Sequence, residues 1–198
     1  FAFMVVSLAL LGFGASGTLL AVFRSRIAAQ FPTWTTLSLA LFVVSASWAY
    51  RCAASLPLDI QYVLFNIREL ALLAVYIVLL FLPFFAGGFF VGAAIVTFAQ
   101  EVGGFYAINM VESGLGGVAA IGLAYAAPAH ALPGWIGLGA AAAMVCWIVG
   151  VGRGEHSAGR LSRLALAATA LVAALASVLF PPPLRMDRYK AEAHAERL

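Results

Sequence analysis

Between Glu69 and Glu101 the chain runs through 31 residues, Leu70 to Gln100, without one charged side chain. As a helix that run is about 46 Å long at 1.5 Å per residue, whereas the hydrocarbon layer of a bilayer is about 30 Å thick. It is too long for one upright span and too short for two comfortable ones. Pro83 sits near its middle, with Gly87 and Gly88 just beyond. The sequence therefore predicts one long helix kinked at Pro83, with a tight helical hairpin as the alternative.

The run is not isolated. Phe1 to Phe23 carries no charge and is closed by Arg24 and Arg26. Thr33 to Tyr50 follows Pro32 and ends at Arg51. Residues Cys52 to Ile67, which include Pro57, Asp59, Gln61 and Asn66, read as a connection. Gly104 to Ala127, Gly134 to Gly152 and Leu164 to Phe180 complete the set, with a polar loop from Arg153 to Arg163. Composition agrees: 64% of the 198 residues are hydrophobic and 10% charged, where a soluble domain carries about a quarter charged. An ordinary soluble enzyme, a disordered segment and a basic nucleic-acid-binding domain are excluded. The expected fold is all-α, a polytopic transmembrane helical bundle of six spans, or seven if the long run is a hairpin.

Residues 1–183 form the expected membrane domain. Pro181-Pro182-Pro183 stops the last helix, since proline lacks the N–H and clashes with the preceding turn. Residues 184–198 hold seven of the chain's 19 Asp, Glu, Lys and Arg residues and read as a soluble tail. The cations do not orient the chain. With six spans, five fall on one side and six on the other, so the positive-inside rule gives no bias. Expected surroundings are the lipid bilayer of a bacterial inner membrane, with no nucleic-acid partner.

Gly12-Phe13-Gly14-Ala15-Ser16-Gly17 matches G-x-G-x-x-G, but no acid follows before Asp59 and no strand precedes it. A dinucleotide site needs both, so Gly12, Gly14 and Gly17 are read as small residues that let helices pack closely. Gly88 and Gly92, four apart, are read the same way, as are Gly116 and Gly117. Trp34, Trp48, Trp135 and Trp147 lie near span ends and fit an interfacial belt. Cys52 and Cys146 belong to no Cys/His cluster and read as apolar fillers. No metal, cofactor or catalytic constellation is assembled from these residue types.

The most informative stretch is Tyr106 to Gly117, YAINMVESGLGG. On a helix, Tyr106, Asn109, Ser113, Gly116 and Ala120 share one face, with Glu112 beside them. A carboxylate inside a span is costly in lipid, so Glu112 is expected to point into the bundle, near polar atoms of another helix. Tyr106, Asn109, Glu112 and Ser113 form the candidate intramembrane polar site. Two readings stand: a proton- or cation-coupling site of a small transporter, or a packing contact of a structural subunit in a larger membrane complex.

Several of these stretches resemble the membrane region of bacterial spermidine synthase-like proteins, in which transmembrane helices precede a soluble aminopropyltransferase-like domain. The resemblance is carried by SLALLGFGASGTLLAVF in the first span and by Pro83-Phe84-Phe85-Ala86-Gly87-Gly88 through Gly92. Tyr106, Ala107, Asn109, Leu115 and Gly116 also match a family stretch, and Tyr189-Lys190 is similar to the start of its soluble domain. Glu112 stands where the family has glycine. The resemblance implies a non-catalytic membrane anchor or substrate-handling domain. The partner it implies is the soluble aminopropyltransferase-like domain, which would carry any activity.

Overall fold

The computed structural model describes residues 2–58, 62–128, 131–151 and 157–180. Seven α-helices follow in order: α1 (Ala2–Val22), α2 (Arg24–Ala29), α3 (Phe31–Ser55), α4 (Ile67–Thr97), α5 (Val102–Ala126), α6 (Leu132–Val151) and α7 (Ser157–Leu179). A single 3-10 turn, Ala99–Glu101, joins α4 to α5. No strand occurs among the described residues. Helices α1, α3, α4, α5 and α6 are long and apolar enough to cross a membrane, and α7 carries a shorter apolar stretch, Arg163–Leu179. The fold is an all-α polytopic bundle with five full-length spans and a sixth, shorter one.

The long uncharged run is one helix. α4 continues unbroken through Pro83 for 31 residues, and the chain does not reverse at Gly87-Gly88. Pro83 supplies no N–H to the Leu79 carbonyl, a loss that apolar helices tolerate among packed neighbours. Asn66 caps the helix: its Oδ1 accepts from the Arg68 backbone N–H at 3.0 Å, satisfying one of the orphan donors of the first turn.

Three boundaries differ from the sequence expectation. α2 occupies the Arg24–Ala29 connection as a short helix of its own. α3 runs past Arg51 to Ser55; the Arg51 guanidinium folds back over the Trp48 ring, 4.9 Å from its centroid, with Nη2 buried and without a hydrogen-bond partner, so that the ring face is what receives the charge. α7 begins at Ser157, inside the stretch read as a polar loop. The expected soluble tail, 184–198, lies outside the described residues.

Packing centres on α3, which contacts α4 on one side and α6 and α7 on the other, while α1 lies along α4. Leu39, Ala40 and Val43 of α3 meet Ala140, Ala141, Met144 and Ile148 of α6 and Ala167, Ala170 and Ala174 of α7. Small side chains dominate because lipid gives no hydrophobic drive for helix association, so close backbone approach and dispersion must hold the bundle together. A second cluster joins Leu20, Ile27 and Phe31 to Phe89 and Ala93. The buried hydroxyls close on their own helices: Thr35 donates to Phe31 O, Ser38 to Thr35 O, Ser47 to Val43 O and Ser177 to Ala174 O.

Two of the tryptophans near span ends tie helices together. Trp48 donates its indole N–H to Ala173 O of α7 at 2.9 Å. Trp147 donates to Thr36 Oγ1 of α3 at 3.1 Å, and its ring meets Phe31 and Phe90 edge-on. Cys52 and Cys146, read as apolar fillers, are free and lie on exposed faces of α3 and α6.

Candidate functional site

The glycines read as packing residues divide into two groups. At Gly12 a Cβ would lie 2.8 Å from the Phe84 Cβ and 2.8 Å from the Phe85 backbone N. At Gly88 it would meet Phe13 Cδ1 at 2.6 Å and Ser16 Oγ at 2.7 Å, and at Gly92 it would meet Leu20 Cδ1 at 2.5 Å. These three form the seam along which α1 and α4 touch. Gly14 and Gly17 face open space, as do Gly116 and Gly117. Those four make no close approach among the described residues: no atom lies within 4 Å of an added Cβ. Two packing glycines escaped the sequence reading. Gly134 sits against Ser177 and Val178 of α7, and Gly137 against Ser47 of α3. They lie three apart near the start of α6, with Gly139 beyond them, a spacing that matches neither G-x-G-x-x-G nor G-x-x-x-G.

The polar stretch lies on α5 and is set apart from the bundle. α5 has no buried residue; among the described residues its main packing is on the 3-10 turn that precedes it and on Phe98 at the end of α4, which stacks on Phe105 at 5.4 Å. Tyr106, Glu112 and Ser113 are exposed and Asn109 is half-buried. The expectation that Glu112 points into the bundle is therefore corrected. The helical register does place the four residues on neighbouring faces of one helix. Among the described residues, however, no other helix brings a polar atom to them. By helix rise Glu112 stands about 15 Å from the start of α5, short of the midpoint of that helix.

The charges at the ends of α4 take different environments. Glu69, in the first turn, is buried, at the positive end of the helix dipole that favours a carboxylate. Glu101, in the 3-10 turn beyond the last turn, is exposed. No protein-family profile, curated relative or solved structure matches this chain.

Proposed function

We propose that this chain is a non-catalytic anchoring and scaffolding domain of a bacterial inner membrane, similar in role to the membrane region of spermidine synthase-like proteins. The observation that carries the reading is α5, a span-length helix with six glycines, a mid-length carboxylate and no buried residue. A carboxylate at the centre of a span costs at least about 2.5 kcal/mol on insertion scales. Glycine's gain in a membrane helix comes from close approach to another helix. Both favour a helix that packs on a partner. The rest of the bundle suits a scaffold rather than a pathway, since its alanine core is close-packed and its buried hydroxyls bond their own backbones.

The partner that the chemistry of this stripe fits is α5 of a second copy. A carboxyl oxygen accepts and a carboxamide both donates and accepts, so Asn109 of each copy can donate to Glu112 of the other across a two-fold axis. Ser113, Gly116 and Ala120 leave room for the backbones to approach. The soluble domain implied by the resemblance would be the cargo so assembled.

Energy transfer between labelled copies in liposomes, followed as lipid dilutes them, tests this. Gly116→Leu and Glu112→Leu are expected to weaken association about 3- to 30-fold, from one or two lost intramembrane contacts of about 0.6–2 kcal/mol. Glu112→Gln is expected to retain it, because the amide oxygen still accepts in the same place. Monomers at every dilution overturn the proposal. A pH-driven flux in liposomes that Glu112→Gln abolishes establishes the transporter reading instead.

A further inference from the structure

A cleft of about 340 Å3 opens where α1 and α4 end on the same side of the bundle, lined by Arg24, Val96, Thr97, Phe98, Ala99, Gln100 and Glu101. Arg24 and Glu101 share this cleft, yet among the described residues they form no ion pair with each other. Thr97 lines the cleft, and its hydroxyl oxygen is buried and has no hydrogen-bond partner. That is unusual in this protein. Thr18, Thr35, Thr36 and Ser47 all donate to the carbonyl four residues back, a bond equally open to Thr97 in its helix. A buried polar atom without a partner calls for an explanation, and an unplaced ligand is one.

The charges say what kind of ligand fits. Glu101 lies just beyond the C-terminus of α4, where unsatisfied carbonyls carry the negative end of the helix dipole. That end of the cleft favours a cation with N–H donors. Arg24 favours an anion, and its fork of donors matches a phosphate. A lone anion would be repelled by Glu101 and a lone cation by Arg24, so the matching ligand carries both charges. The cleft lies at the ends of two membrane-spanning helices, at headgroup depth, and Val96 and Phe98 give it an apolar side.

We propose that this cleft binds the headgroup of an aminophospholipid. The phosphate sits on Arg24, the primary ammonium on Glu101, and Thr97 donates to a phosphate oxygen. A trimethylammonium headgroup has no N–H for Glu101, and a glycerol headgroup has no cation, so both bind less well.

The test embeds the full chain in nanodiscs of phosphatidylethanolamine, phosphatidylcholine and phosphatidylglycerol in equal parts. Lipid kept on the protein is then read by native mass spectrometry. The wild type is expected to keep phosphatidylethanolamine about tenfold over the other two, the ratio one charge-assisted hydrogen bond supplies. Glu101→Gln should erase that preference, and Arg24→Gln should lower retention of all three lipids. Thr97→Val, which keeps the volume of the side chain, should lower phosphatidylethanolamine retention several-fold. The Arg24 and Glu101 variants should leave the melting temperature of the bundle in place, because both residues are exposed. A double variant exchanging the charges, Arg24→Glu with Glu101→Arg, separates binding from a structural role. Exchange keeps the net charge of the cleft but reverses the two sites, so that phosphate and ammonium each meet a like charge. Equal retention of the three lipids by the wild type overturns the proposal, as does full retention by the exchanged variant. Displacement of the lipid by soluble O-phosphoethanolamine, with no lipid preference, overturns the bilayer source and assigns the cleft to a free zwitterion.

Discussion

Gly12 and Gly14 are two residues apart on one helix and face opposite fates. At Gly12 an added methyl would run into the backbone of α4 at Phe85, which no rotamer change can relieve, while at Gly14 it would enter open space. Overpacking at such a contact costs about 1–3 kcal/mol. Glycine to alanine at an open helix position gains up to about 1 kcal/mol from backbone entropy. Gly12→Ala should therefore lower the unfolding midpoint in detergent and Gly14→Ala should leave it level or raise it. Equal shifts at the two positions would show that α1 does not sit on α4 as described. The sequence contained both glycines in one motif and could not separate them. A G-x-G-x-x-G pattern states that residues are small, and only the position of Phe84 and Phe85 on another helix decides which of them needs to be.

At the level of elements, the longest signals were the most legible. An uncharged run from Leu70 to Gln100 leaves little choice but a helix, and α4 is that helix. The short α2 was hidden because Arg24-Ser25-Arg26 reads as a loop and six residues carry no periodicity. The early start of α7 was hidden for the same reason, since Arg160 and Arg163 mark a polar segment whether or not it is helical. The separation of α5 from the bundle left no trace at all: hydropathy reports affinity for lipid, not which helix lies alongside. That separation has a direct consequence for stability. A side chain on a helix that buries nothing contributes little to the bundle, so Leu115→Ala on α5 should change the unfolding free energy by no more than about 0.5 kcal/mol. Met144, fully buried between α3 and α7, should cost about 2–5 kcal/mol on truncation to alanine, as large-to-small core changes do. Detergent or urea unfolding of the two variants side by side measures this. A large loss at Leu115 would place α5 inside the bundle and remove the ground for an external partner.

For the whole molecule, the question is whether α5 crosses the bilayer although it stands apart from the other helices. The shared cleft puts Arg24 and Gln100 on one side of the bundle. α3 starts beside them and carries the chain to the far side, so Leu58 lies opposite. α5 then starts at Val102 on the Arg24 side. It is 25 residues long, about 37 Å by helix rise, enough to span the hydrocarbon layer. Bending back would place Glu112 and the bulky Val111, Leu115 and Val118 at the headgroup level, and would leave their apolar area in water. If α5 spans, Pro128 emerges on the side of Leu58, and α6 and α7 then cross as an antiparallel pair, which accounts for the contact they make with α3. Single cysteines introduced as Ser25→Cys, Gln100→Cys, Leu58→Cys and Pro128→Cys test this, in a background carrying Cys52→Ala and Cys146→Ala. A membrane-impermeant maleimide added to one side of sealed vesicles should label Ser25→Cys and Gln100→Cys together. From the other side it should label Leu58→Cys and Pro128→Cys together. If Pro128→Cys labels with Gln100→Cys, α5 is re-entrant. Glu112 then lies in the headgroup layer and needs no partner helix, and the self-association proposed for this chain loses its physical ground.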